Sequence, residues 1–164
     1  MKKIFKTTAW ILLAALIVIQ FFRPAKNEQE GIAANHISNK YPIPADVNGI
    51  LQKACNDCHT NNTRYPWYSN VQPVAWWLDE HIKDGQKELN FSDFNSYSLR
   101  RQYRKLEEVI EEVKEGKMPL DSYTWLHKDA KLTQEEKVKI TDWASLIRKE
   151  MEANYPMDSL VRKK

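Results

Sequence analysis

The sequence predicts a small all-α domain that follows an N-terminal apolar helix. Three observations support this fold class. Apolar residues recur at three- and four-residue steps, no stretch shows the apolar-polar alternation of a half-buried strand, and the 164 residues include only four glycines, which limits extended loops. We therefore expect a single helical domain over residues 45–155, of a size that buries a limited core by itself.

The N-terminus combines basic residues with an apolar run. Three lysines lie within the first six residues, and the predominantly apolar residues 7–22 follow, interrupted by Gln20. This pattern is typical of an export signal or a signal anchor. Because residues 23–26 offer a poor cleavage site, we expect residues 1–26 to be a transmembrane anchor in the bacterial inner membrane, with the rest facing the periplasm. A cleaved signal peptide and an exported soluble domain are the alternative.

The charge distribution argues against a nucleic-acid partner. The net charge is +3, but the first 26 residues contribute five basic and no acidic groups, so the remainder carries 20 basic and 22 acidic groups. The basic excess therefore belongs to the N-terminal segment and its flanks. Any protein partner of the weakly acidic remainder should recognise a local patch.

The first half of the domain is predicted as two helices and a loop. Residues 27–44 form an exposed linker that ends in prolines, and Asp46 then caps a helix that runs into Cys55. Residues 60–72, rich in turn formers and large rings, are predicted as a loop. The second helix begins near Pro73, a residue favoured at the first helical position, and runs toward Gly85.

The second half contains the clearest helices. One apolar stripe ends just before Gly116, and glycine is the residue favoured just after the C-terminus of a helix. A capping box of Thr133 and Glu136 marks the start of the last helix. The two stripes consist of Leu99, Tyr103, Leu106, Ile110 and Val113, and of Ile140, Trp143, Ala144, Ile147 and Met151. Residues 156–164 are predicted as a C-terminal tail.

Both cysteines of the chain fall in one pentapeptide, Cys55-Asn-Asp-Cys58-His59. Residues three apart on a helical turn project to the same side, and C-x-x-C-H is the attachment motif of c-type haem, in which two thiols bond the porphyrin and the imidazole binds iron. A thioredoxin-like dithiol would need a βαβ context, and a zinc site two further ligands. We therefore predict one covalent haem c on Cys55 and Cys58, with His59 as the proximal ligand.

The sixth iron ligand determines the chemistry, and several residues compete for it. Met118 lies in a Gly-Lys-Met-Pro loop beyond the third helix, outside any apolar stripe, so its thioether is the first choice. His81, one turn after Trp77, is the alternative. His127, which we expect to fasten the loop before the last helix, His36, a water molecule and an open position also remain.

The residues after the motif are predicted to surround the haem. Arg64 is a natural partner for a propionate, and Tyr65, Trp67 and Trp77 supply neutral donors or an apolar wall. Surface exposure of Arg64 and ordinary packing of the tryptophans are the alternatives. We expect a carbonyl oxygen of residues 65–73 to accept the Nδ1 proton of His59.

These segments together resemble the bacterial haem-binding domain family, small exported proteins similar to class I cytochromes c. The resemblance covers about residues 47–150 and rests on Cys55–His59, Thr63–Tyr68, Pro73–Trp77, Leu89–Ser92 and Gly116–Pro119. It implies a cytochrome c-like helical domain around a covalent haem, with Cys55 and Cys58 as thioether residues, His59 as proximal ligand and Met118 as distal ligand. The long insert at residues 76–98 departs from a simple class I pattern, which keeps His81 as an alternative.

Three functions follow from these expectations. A six-coordinate haem predicts single-electron transfer with a redox partner protein. A displaceable sixth ligand predicts a haem-based sensor or small-ligand-binding module. A peroxidase would need an acid-base residue above an open iron face, and no such residue can be placed from the sequence.

Overall fold

The computed structural model describes residues 1–162. The regular secondary structure in this part of the chain is all helical, as the apolar periodicity predicts. Within this part, eight α-helices are joined by loops that contain four short 3-10 turns. The helices are α1 (Lys2–Ile19), α2 (Ala45–Ala54), α3 (Asn56–His59), α4 (Val74–Glu88), α5 (Leu99–Glu115), α6 (Asp121–Leu126), α7 (Gln134–Asn154) and α8 (Met157–Leu160). The 3-10 turns span Ile37–Asn39, Trp67–Asn70, Phe94–Ser96 and Lys128–Ala130.

Helices α5 and α7 form the centre of the domain; α5 ends and α7 begins where the sequence predicts. Gly116 ends α5 with a left-handed φ of 73°, a conformation that glycine adopts without strain. Thr133 and Glu136 exchange the two hydrogen bonds of a capping box at the start of α7. The shared core includes Phe94, Leu106, Ile147 and Met151, all nearly inaccessible to solvent.

The predicted transmembrane anchor is wrong. Within residues 1–162, no helix is both long and apolar enough to cross a membrane. Helix α1 has 18 residues and ends at Ile19, and three of its residues are lysines. At 1.5 Å per residue it spans about 27 Å, short of a hydrocarbon core of about 30 Å even before the lysines are counted.

The segment after α1 contacts the domain through paired glutamines. The backbone N–H of Gln72 donates to Oε1 of Gln20 at 3.0 Å, and Nε2 of Gln20 donates to the carbonyl of Gln72 at 3.2 Å. The carbonyl of Phe22 accepts hydrogen bonds from Nε2 of Gln72 and from Nε1 of Trp76. Gln20, which interrupts the apolar run, therefore connects the end of α1 to the start of α4.

Residues 27–44 and the C-terminal segment are less exposed than the sequence suggests. Ile37 and Tyr41, in the stretch predicted as an exposed linker, are 0% and 1% exposed and belong to the main core. Leu160 in α8, within the predicted tail, is 1% exposed. The 27–44 stretch has no long apolar periodicity, so only the assembled core shows that these side chains are buried. Residues 163–164 of the tail lie outside the described part of the chain.

Candidate functional site

The C-x-x-C-H pentapeptide spans a break between two helices. Helix α2 ends at Ala54, Cys55 leaves the helical conformation with φ −129°, and α3 carries Cys58 and His59. Cys55 and His59 line two adjoining cavities of about 280 and 240 Å³, and Cys58 lines the larger one. The two thiols and the imidazole are therefore brought to one concave site, whose combined size suits a cofactor pocket of about 300–1,000 Å³.

The imidazole of His59 is held by two backbone carbonyls. Its Nδ1 lies 2.9 Å from the carbonyl oxygen of Leu89 and 3.1 Å from that of Gly85, so Nδ1 carries the proton and donates it. Nε2 then has a free lone pair, and burial lowers the pKa of His59, which favours the neutral ring that a metal requires. The sequence predicted that a carbonyl of residues 65–73 would accept the Nδ1 proton. In the structure the acceptors are instead the carbonyls of Gly85 and Leu89, at the end of α4.

Gly85 lets α4 approach the motif. A Cβ atom at this position would lie 2.7 Å from the carbonyl oxygen of Cys58 and 3.0 Å from the Cys58 Cβ. No side chain fits at these distances without a shift of backbone. The absence of a side chain at Gly85 therefore allows its own carbonyl to reach the His59 ring.

The electrostatics of the thiols differ from those of a redox-active dithiol. Burial raises the pKa of Cys55 to about 12 and that of Cys58 to about 11, and both thiols are free. A dithiol oxidoreductase needs a thiol whose pKa is lowered toward neutrality. The two cysteines therefore remain protonated S–H groups on the wall of an apolar cavity.

Met118 and His81, the two leading candidates for a second ligand, both reach the site. Met118 is half-buried and lines both cavities. His81 lines only the larger one, where its ring is tilted against Trp77 at 4.3 Å and its Nδ1 lies 2.9 Å from the Trp77 carbonyl. Both residues therefore line the cavity that contains His59.

The other two histidines contact different parts of the fold. Nε2 of His127 lies 2.6 Å from the hydroxyl of Tyr68, and its ring stacks on Tyr123. His127 therefore fastens the loop before α7. His36 caps the first 3-10 turn by accepting a hydrogen bond from the backbone of Ser38. Neither ring lines the two cavities.

The four residues predicted to surround the haem lie outside the linings of both cavities. Arg64 forms two hydrogen bonds with the carboxylate of Asp57, and the hydroxyl of Tyr65 accepts one from the backbone of Asn27. Trp67 is 80% exposed, and Trp77 packs on His81. Their roles as haem contacts stay predictions.

Lys105 is the residue that sequence reasoning missed. It is the only Lys or Arg among the described residues that line the two cavities, and its side chain is 5% exposed. Its Nζ pairs with Glu88 at 3.0 Å and Glu108 at 2.6 Å. Periodicity gives a weak signal here, because Lys105 lies one turn before Val109, at the border of the apolar stripe.

The segment Leu89–Ser92 forms hydrogen bonds with the motif and with the residues just after it. The backbone N–H of Phe91 donates to the carbonyl of His59 at 2.7 Å, and the hydroxyl of Ser92 accepts a hydrogen bond from the backbone of Asn61. Together with the Leu89 carbonyl, these contacts fix both the ring and the backbone of His59. These hydrogen bonds give a physical reason why Leu89–Ser92 and the C-x-x-C-H pentapeptide both belong to the family resemblance.

The donor set and the lining fit a haem. A neutral imidazole with a free Nε2, two protonated thiols and a thioether face one space, and the smaller cavity adds an apolar wall. This wall comprises Leu51, Leu89, Phe91, Val109, Val113 and Ile140. Soft sulfur and imidazole ligands in apolar surroundings suit haem iron.

Comparisons with known proteins point to the same cofactor. The model of the haem-binding domain family matches residues 14–146 of the chain. The cytochrome c peroxidase Ccp of Escherichia coli (strain K12) is 25% identical over 135 residues, which cover 79% of this chain and 28% of that protein. The chain thus spans less than a third of the length of this relative. No solved structure matches the chain.

Proposed function

The protein belongs to the haem-binding domain family, and from this membership and the geometry around His59 we propose that it is a c-type cytochrome that transfers single electrons. The observation that carries the proposal is the convergence of Cys55, Cys58, His59 and Met118 on the same cavity. When bound, haem supplies a one-electron ferrous/ferric couple. The protein provides attachment, ligation and charge balance.

Attachment falls to the two thiols. Each adds its S–H across one vinyl group, so that the sulfur bonds to one carbon and the proton goes to the other, with no net oxidation or reduction. The raised pKa values of Cys55 and Cys58 keep the thiols protonated before this reaction. We propose that attachment occurs on the outer side of the bacterial cytoplasmic membrane, in the periplasm, because C-x-x-C-H proteins are matured in that compartment.

Ligation falls to His59 and Met118. The carbonyls of Gly85 and Leu89 fix the tautomer of His59 and increase the basicity of Nε2. A thioether as the second ligand raises the reduction potential relative to two imidazoles, which suits an electron carrier. His81 stays the alternative second ligand because it lines the same cavity.

We assign charge balance to Lys105, while the contact of Arg64 with a propionate stays a prediction. Haem brings two carboxylates, and the cavity walls already contain five acidic side chains, those of Asp57, Asp84, Glu88, Glu108 and Glu112. Glu88 is 71% exposed and can turn to solvent, which frees one bonding direction on Lys105 for a propionate. Arg64, bound to Asp57, has a different partner.

The similarity to a cytochrome c peroxidase supports a second candidate function, a haem protein that binds small ligands as a sensor or reacts with peroxide. Met118 lines a third, more open space as well as the two cavities, so a displaceable thioether would give small ligands or peroxide access to the iron. The match covers only 28% of that relative. Electron transfer remains our first proposal, because Met118 lines both cavities around His59 and a thioether ligand suits an electron carrier.

The test is cofactor analysis of protein matured with the c-type machinery. A pyridine haemochrome spectrum of the c-type, haem that resists acid-acetone extraction, and a reversible one-electron titration are the expected results. The double variant Cys55→Ser/Cys58→Ser is the control and should yield extractable haem or none. A b-type spectrum from the unmodified protein would refute covalent attachment, and rapid carbon monoxide binding to the ferrous protein would favour the sensor.

A further inference from the structure

An open cleft of about 530 Å³ shares Met118 and Pro119 with the larger cavity around His59. The end of α5, helix α6, the fourth 3-10 turn and the start of α7 form this cleft, which we call the lysine cleft. Lys128, Lys131, Lys137 and Trp125 are among its lining residues. Because Met118 borders both spaces, the lysine cleft is one part of the surface that reaches the proposed second ligand directly.

The basic side chains of the lysine cleft are free of ion pairs, unlike many others in the domain. Among residues 1–162, Lys128, Lys131 and Lys137 form no ion pair, and Asp121 is the acidic side chain in the lining. Eight other basic residues of the domain are paired: Lys53, Arg64, Lys83, Arg104, Lys105, Lys117, Lys139 and Arg148. The cleft is thus a local positive patch on a domain whose residues 27–164 are net acidic.

Helix α6 and the residue before it present exposed apolar side chains, of which Trp125 lines the cleft. Trp125 is 78% exposed, Leu126 is 60% exposed and Leu120 is 37% exposed. Tryptophan is among the residues that contribute most to binding energy at protein interfaces, and a charged surround steers a complementary partner and speeds its encounter. An exposed tryptophan that lines one cleft together with three unpaired lysines fits a transient contact with an acidic protein surface.

We propose that the lysine cleft docks an acidic redox protein and that the electron passes between partner and haem past Met118. This inference rests on the proposed electron-transfer function and adds the place of exchange and the charge of the partner. Complementary charge raises the association rate without requiring tight binding, which an electron carrier must avoid.

Two small outer-sphere reagents of opposite charge test the location. Ferricyanide accepts one electron from the reduced holoprotein and becomes ferrocyanide, and hexaammineruthenium(II) gives one electron to the oxidised holoprotein. The test variant is Lys128→Glu/Lys131→Glu. The control, Lys26→Glu/Lys149→Glu, has the same net charge with both changes outside the cleft lining.

We expect the test variant to slow ferricyanide on the order of tenfold at low ionic strength and to speed hexaammineruthenium(II), with both effects shrinking as salt is added. The control should shift both rates much less. Equal shifts in the two variants would overturn the proposal, because they would report net charge alone. If the unmodified holoprotein exchanges no electron with either reagent, the electron-transfer function itself fails.

A polyanion tests the chemistry of the partner. Poly-glutamate should slow the ferricyanide reaction of the unmodified protein and of the control by occupying the lysine cleft, and it should have little effect on the test variant. The same slowing in all three proteins, or in none, would show that the cleft does not bind an acidic chain.

Discussion

The hydroxyl of Tyr123 donates a 2.7 Å hydrogen bond to Oδ2 of Asp57. Asp57 lies between the two cysteines of the motif and is 5% exposed, and Tyr123 belongs to α6, which begins two residues after Pro119. Arg64 binds the same carboxylate through Nε at 3.2 Å. A buried carboxylate therefore joins the turn that would carry the haem to the segment that follows Met118.

The first prediction concerns this connection. Burial raises the pKa of Tyr123, so its hydroxyl stays protonated and donates to Asp57. Tyr123→Phe should cost about 1–2 kcal/mol of stability and loosen the segment after Met118. We expect a weaker methionine-to-iron charge-transfer band and faster carbon monoxide binding by the ferrous protein.

Tyr41→Phe is the matched control for this change. It also removes a hydroxyl that donates to a side chain, but the acceptor is Oε1 of Gln102 on α5, away from α6. Its charge-transfer band should match that of the unmodified protein. Equal spectral changes in the two variants would disprove a specific role for the Asp57 to Tyr123 bond.

The second prediction concerns the contact between α4 and α3. Gly85→Ala places a Cβ within 2.7 Å of the Cys58 carbonyl, so the helices must separate and the bond from His59 Nδ1 to residue 85 must lengthen. We expect a loss of about 1–3 kcal/mol in unfolding free energy and a lower haem content per chain. Denaturant titration and absorbance measure these two quantities.

Gly49→Ala provides the comparison, since a Cβ at this position of α2 would meet no atom within 4 Å beyond its chain neighbours and its own helix backbone. This substitution should leave haem content unchanged and stabilise the protein by up to about 1 kcal/mol, because alanine favours the helix. A Gly85→Ala protein that is as stable and as haem-replete as Gly49→Ala would contradict the close approach.

The third prediction concerns the second ligand. Met118→Ala should abolish the charge-transfer band, produce high-spin ferric haem and lower the reduction potential, because the thioether favours the ferrous state. His81→Ala should retain the low-spin spectrum. If His81→Ala becomes high-spin and Met118→Ala does not, the second ligand is His81.

The fourth prediction concerns Lys105. Lys105→Met removes a buried positive charge beside the cavity. Loss of this charge favours the more positively charged ferric form, so the reduction potential should fall. A unit charge about 10 Å away corresponds to roughly 1–2 kcal/mol at an effective dielectric constant of about 20. Potentiometric titration checks the shift.

Two variants give the comparison for Lys105. Lys83→Met removes a charge from an exposed residue, 70% accessible, that pairs with Asp79, and it should change the potential little. Lys105→Arg, which keeps the charge, should have a reduction potential close to that of the unmodified protein. A shift of the same size in Lys83→Met would remove the basis for a specific interaction with the haem.

Much of the fold was predictable because it depends on local patterns. The apolar stripes of α5 and α7 repeat with the helical period, and Gly116, Thr133 and Glu136 act on backbone groups within a few residues of themselves. Composition was less informative at the N-terminus. The apolar residues 7–22 suggested a membrane-spanning helix, but α1 ends at Ile19 and is not long and apolar enough to cross a membrane. The burial of Ile37 followed from distant packing and left no periodic signal.

The sequence by itself determined the chemistry of the site, because the spacing of Cys55, Cys58 and His59 within one pentapeptide is a local property of the chain. Only the tertiary structure decided the surroundings of that chemistry. The carbonyl acceptors for His59 come from residues 26 and 30 positions away, and Asp57 meets Tyr123 across 66 positions. Arg64 turns to Asp57 and Lys105 reaches the cavity, since side-chain partners are chosen by the packing of helices rather than by proximity along the sequence.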